Sequence, residues 1–92
     1  MPTKEPSQQQ AEAAERAQER RNGVIVGQLM QTLGRPTTLY RVEMRHLWDG
    51  YYRANVFVGA TVTSTRIAHS FFLTADEEGN IVASIPDISR EY

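Results

Sequence analysis

The chain of 92 residues contains no cysteine. Disulfides, thiolate nucleophiles and cysteine-held metals are therefore excluded, and a reducing cytoplasmic setting is the expected location. Only two histidines, His46 and His69, are present. They are too far apart in sequence for a His-x-x-x-His metal site, and no Gly-x-Ser-x-Gly or phosphate-loop pattern accompanies them. No catalytic residue, metal site or cofactor is expected, and an enzymatic role is disfavoured. No apolar run approaches the roughly 20 residues that crossing a bilayer requires. A charged-then-apolar secretory start is also missing, so no membrane partner is expected. The formal net charge is −1, which gives no global basic excess to draw the chain to nucleic acid.

What is present divides the chain unevenly. Residues 1–6 (M-P-T-K-E-P) read as a tail with no apolar anchor. Ser7 followed by Gln10 fits a capping box, and strong helix formers continue to Arg21. The only apolar side chains there are Ala11, Ala13, Ala14 and Ala17, too little to hold a helix alone. Residues 1–21 are therefore expected to be a flexible or frayed helical extension, and residues 22–92 a single α+β domain. Asn22-Gly23 is expected to interrupt the helix. Beyond it, Ile25, Val26, Leu29, Met30 and Leu33 form one apolar stripe at helical spacing. Gly34 and Pro36 then stop it. Gly23 and Gly27 lie four residues apart. Close approach to the sheet is the favoured reading over a helix–helix contact, because that dimer motif belongs mainly to apolar membrane helices.

The next stretch organises the domain. Two alternating runs, Thr37–Trp48 and Tyr51–Ala60, flank Asp49-Gly50, a strong hairpin signal. Tyr40, Val42, Met44 and His46 share one face; Tyr52, Ala54, Val56 and Val58 share another. A simple two-residue turn would set Val42 opposite Phe57 and split the apolar sets. A three-residue loop, Trp48-Asp49-Gly50, unites them: His46 faces Tyr52, Met44 faces Ala54, Val42 faces Val56 and Tyr40 faces Val58. Gly50 is then expected in the left-handed position of a G1 bulge.

Gly59–Ser64 reads as a loop, followed by a third strand with Ile67, His69, Phe71 and Leu73 inward. Ala75–Gly79 is an acidic turn, too poor in alternating oxygen ligands for calcium. The fourth strand, ended by Pro86, offers Ile81, Ala83 and Ile85 inward. The predicted fold is α+β: one amphipathic helix packed on a four-stranded antiparallel meander, α-β-β-β-β. In this architecture it is similar to the helix-wrapped sheets of the cystatin-like class. The Q-x-V-x-G-type signature of true cystatins is absent, so the likeness implies no protease inhibition.

Charge is spread unevenly along the domain. Residues 35–73 carry a net +3 and residues 74–92 a net −4. The sheet face turned away from the helix is predicted to gather Arg41, Arg45, Arg53 and Arg66 with Phe57 and Phe72, and Trp48 and Tyr51 extend it at the hairpin tip. Arginine mixed with aromatics suits a small interaction module that binds a protein partner or a second copy of itself. Single-stranded nucleic acid stacking on the aromatics is an alternative. A small-ligand pocket between helix and sheet, around His69 and Tyr40, is another.

Overall fold

The computed structural model describes residues 6–92. Of the tail expected at residues 1–6, residues 1–5 lie outside the described residues, while Pro6 already belongs to the first helix, so Ser7, expected to cap it, lies inside it. Five principal elements follow one another: helix α1 (Pro6–Leu33) and strands β1 (Leu39–Trp48), β2 (Tyr51–Val58), β3 (Arg66–Ala75) and β4 (Ile81–Ile85). The strands form one antiparallel sheet in the order β1-β2-β3-β4. The α+β meander read from the sequence is thus the fold. None of the described helices is long and apolar enough to cross a membrane.

Helix α1 is continuous for 28 residues and runs straight through Asn22-Gly23. The expected interruption does not occur, because the Asn22 side chain is used inside the helix: Gln18 Nε2 donates to Asn22 Oδ1 at 2.8 Å. Both glycines of the Gly23/Gly27 pair face open space, and a Cβ added at either would meet nothing within 4 Å. The expected close approach to the sheet is therefore wrong. The helix rotates its glycines outward because Ile25, Leu29 and Leu33, all at most 1% exposed, occupy the sheet-facing side. The first tie from α1 to the sheet is Gln18, whose Nε2 donates to the buried Tyr52 hydroxyl at 2.8 Å. Residues 9–16 are exposed on all sides. At 1.5 Å per residue, the helix before Gln18 projects roughly 18 Å past the hairpin end of the sheet.

At the other end Gly34, with φ 91°, closes the helix by donating from its N–H to Met30 O at 2.9 Å. The C-terminal residues finish the job. The N–H groups of Glu91 and Tyr92 donate to Leu33 O at 2.8 and 3.1 Å, satisfying a carbonyl that the helix leaves unpaired. Ile88 packs on the core. The last segment thus lies on the helix side and leaves the opposite sheet face uncovered.

Register follows the alternation with four exceptions, each a bulge. Val42 pairs with Val56, Met44 with Ala54 and His46 with Tyr52, as expected. The odd residue at the hairpin is placed differently, however. Trp48 pairs with Tyr51 across a two-residue Asp49-Gly50 turn, and Leu47 is the surplus residue. Asp49, not Gly50, takes the positive φ, at 47°. Gly50 is required for another reason: a Cβ there would lie 2.5 Å from Ala75 O. Tyr40 is likewise bulged out, so Leu39 rather than Tyr40 pairs with Val58. Ala68 is surplus in β3 and Val82 in β4. Each extra residue flips the side chains beyond it to the other face. Ile67, expected inward, therefore pairs with Phe57 on the outer face. Ala83 and Ile85, also expected inward, pair with Thr74 and Phe72 there, while Ser84, expected outward, pairs with Leu73 on the inner face.

The core is one cluster of Ile25, Leu29 and Leu33 against Tyr52, Ala54, Val56, Phe71, Leu73 and Ala75. Fully burying a side chain of this size contributes about 1.5–3 kcal/mol. Polar ties fix the helix laterally: Gln28 Nε2 donates to Asn80 Oδ1 at 2.7 Å, and its Oε1 accepts from Ile81 N–H at 2.9 Å.

Candidate interaction face

The outer face of the sheet is built of cross-strand rows. At the hairpin end Trp48, Tyr51, Thr74 and Ala83 lie side by side. The next row is Arg45, Arg53, Phe72 and Ile85. Then come Glu43, Asn55 and Ser70, and finally Arg41, Phe57 and Ile67. Seven of the eight expected residues thus share the face. The eighth, Arg66, does not: the Ala68 bulge moves it into register with Val58 on the inner side. Sequence alternation missed Ile67 and Ile85 because both neighbours of each bulge tolerate either face. Their exposure, 51% and 70%, is the signal that they were misassigned.

Local contacts preorganise this surface. The rings of Trp48 and Tyr51 lie 5.6 Å apart, and Tyr51 stacks on Phe72 at 5.7 Å with planes 20° apart. The three rings form a shelf at one end, with Trp48 itself 56% exposed. At the other end the Arg41 guanidinium sits 4.7 Å from the Phe57 ring centroid, a cation–π contact. Between them runs a polar relay. Arg53 Nη1 donates to Ser70 Oγ (3.3 Å), Ser70 Oγ to Asn55 Oδ1 (2.7 Å), and Asn55 Nδ2 to Glu43 Oε1 (3.2 Å). Arg45 stands directly opposite Arg53, a like-charge pair that an acid nearby would relieve. With three arginines against one glutamate, the face is basic.

The inner-face histidines have structural partners. His46 Nε2 donates to Asp49 O at 2.7 Å, and its ring lies 5.0 Å from Tyr52. His69 Nε2 shares a hydrogen bond of 2.7 Å with the Tyr92 hydroxyl, and Tyr92 meets its ring edge-on at 5.5 Å. Tyr92 therefore packs beside His69, where the alternative reading places a small-ligand pocket with Tyr40. Tyr40 itself is bulged and 43% exposed. His69 is half-buried at the rim rather than within the core.

The acidic turn is self-contained. Asp76 Oδ1 accepts from the N–H groups of Asn80 (2.8 Å) and Glu78 (3.0 Å), and Oδ2 accepts from Asn80 Nδ2 (3.1 Å). These bonds, the Asn80 N–H foremost, hold its carboxyl below the usual carboxylate range. Arg21 Nε donates to Glu77 O at 3.0 Å and so ties the turn to the helix. Among the described residues, no group of three His, Asp or Glu side chains is placed to hold a metal ion.

No known protein family, curated protein or solved structure matches the chain. The cystatin-like analogy is not confirmed by these comparisons.

Proposed function

We propose that this protein is a non-enzymatic interaction module that docks a protein partner on the outer face of its sheet. The observation that carries the reading is the asymmetry of cover. Helix α1 and the C-terminal residues both pack on the inner face, while Trp48, Ile67 and Ile85 stay exposed on the other among Arg41, Arg45 and Arg53. Exposed apolar groups gathered on one face mark an interaction site, whereas scattered ones do not. The preformed Tyr51–Phe72 stack and the Arg41–Phe57 contact keep side chains ordered before binding, which lowers the entropy lost on association. The arginines select a partner that carries carboxylates among apolar side chains.

The test is a titration of labelled protein with a short peptide alternating glutamate with leucine and phenylalanine, followed by amide NMR shifts and Trp48 emission. Shifts confined to β1–β3 outer-face residues, weakened by salt and abolished in Phe72→Glu, are expected. No perturbation at the highest soluble peptide concentration refutes the reading. The Trp48–Tyr51–Phe72 shelf also favours a second reading, single-stranded nucleic acid stacked on the rings. An oligonucleotide that quenches Trp48 at low salt, where the peptide has no effect, selects that alternative.

A further inference from the structure

The two edges of the sheet are built differently. β4 is five residues long, bulged at Val82, followed by Pro86, and the N–H of Ile81 is taken by Gln28. Shortness, a bulge, a proline and a covering side chain are the ways proteins keep an edge from pairing. β1 is ten residues long, and its bulges fall near its ends, at Tyr40 and Leu47. Residues 41–46 between them run regular, and among the described residues no strand pairs with their free edge.

The charges along that edge complement themselves. Outward-facing residues read Arg41, Glu43, Arg45. When a strand pairs antiparallel with its own copy, a two-fold axis must fall on a residue if matching faces are to stay together. An axis at Glu43 sets Glu43 against Glu43 and Arg41 against Arg45, all like charges. An axis at Val42 brings the bulged Tyr40 into the ladder. An axis at Met44 avoids the like-charge pairs and keeps residues 42–46 in a ladder free of bulges, with the bulged Leu47 falling opposite Arg41 just beyond it. It pairs Glu43 with Arg45 of the second copy, twice by symmetry, and on the helix side sets Met44 against Met44 and Val42 against His46, all within the regular stretch. It also places a carboxylate beside Arg45, which faces only Arg53 inside its own chain.

We propose that β1 pairs antiparallel with β1 of a second copy about a two-fold axis at Met44, joining two four-stranded sheets into one. This surface is the strand edge, and it is independent of the outer-face reading above. The ladder joins two outer faces into one basic platform and leaves Trp48, Tyr51 and Phe72 of each copy open.

The absence of cysteine makes the test direct. In a Met44→Cys variant the two thiols stand on opposed positions about 4.5–5.5 Å apart at Cβ, close to disulfide reach. In an Arg41→Cys control they are roughly 20 Å apart, six residues along the strand. Sedimentation equilibrium of the wild-type chain is expected to show a dimer. Mild oxidation is expected to link Met44→Cys rapidly and Arg41→Cys slowly. Glu43→Arg is expected to shift the equilibrium to monomer, and the doubly exchanged Glu43→Arg/Arg45→Glu to restore the dimer, which mere loss of stability would not do. A monomer at high micromolar concentration overturns the inference, as do equal linking of the two cysteine variants, failure of the double exchange, or loss of the dimer on Phe72→Glu.

Discussion

Phe71 and Phe72 are neighbours in sequence and opposites in the fold, so they test the register on which the interaction face depends. Phe71 is 3% exposed and lies in the core cluster opposite Ala54. Phe72 is half-buried on the outer face and stacks on Tyr51. Truncating a buried phenylalanine removes its transfer free energy and leaves a cavity, about 3–5 kcal/mol together. A chain of this length has a total stability of only about 5–14 kcal/mol. Phe71→Ala is therefore expected to lose about a fifth or more of the stability and to lower Tm by roughly 12 °C or more. Phe72→Ala forfeits the ring stack, about 0.5–1.5 kcal/mol, and part of a half-exposed surface, so its loss should stay below about 2 kcal/mol. Urea unfolding followed by far-UV circular dichroism measures both; Trp48, being exposed, is a poor reporter of the core. The partner-binding readout should invert this order, with Phe72→Ala the more damaging. If Phe72→Ala destabilises as much as Phe71→Ala, the sheet faces are misassigned and the interaction reading falls with them.

Two further outcomes follow from the turns. Gly50→Ala places a methyl 2.5 Å from Ala75 O, beside the 2.8 Å hydrogen bond from Ala75 N–H to Gly50 O. It is expected to cost about 2–3 kcal/mol from overpacking and the strained bond, whereas Asp49→Gly stays within about 0.5 kcal/mol; urea midpoints showing Gly50→Ala to be neutral dismiss the close-approach argument. At the acidic turn, the Asp76 carboxyl is held low by the bonds from Asn80 and Glu78. A depressed carboxyl stabilises the fold fully above the ordinary carboxylate range and loses that contribution as pH falls through its own folded-state value. The stability gap between wild type and Asp76→Asn should therefore be widest near neutrality and close in acid, and a gap that is flat with pH contradicts the assigned bonds.

The chain's own pattern settled the elements. The 3.6-residue stripe of Ile25, Leu29 and Leu33 specifies a helix with one buried side, and Gly34 with Pro36 specifies where it ends, because these signals are local. Strict alternation through Val42–His46 and Tyr52–Val56 settled the central register, since a slip there puts a whole apolar set in water. Tertiary structure alone decided the rest. Asn22-Gly23 reads as a break, yet Gln18 and Tyr52 tie the helix down just before it. Alternation demanded one surplus residue at the hairpin but not that it be Leu47, and the bulges at Tyr40, Ala68 and Val82 insert single residues near the ends of strands, where residues such as Ile67 and Ile85 are apolar on either face, so alternation carries no mark of them. What covers each sheet face was equally hidden. Glu91 and Tyr92 reach Leu33 from the far end of the chain, a contact no local pattern encodes, and that contact is why the opposite face stands open.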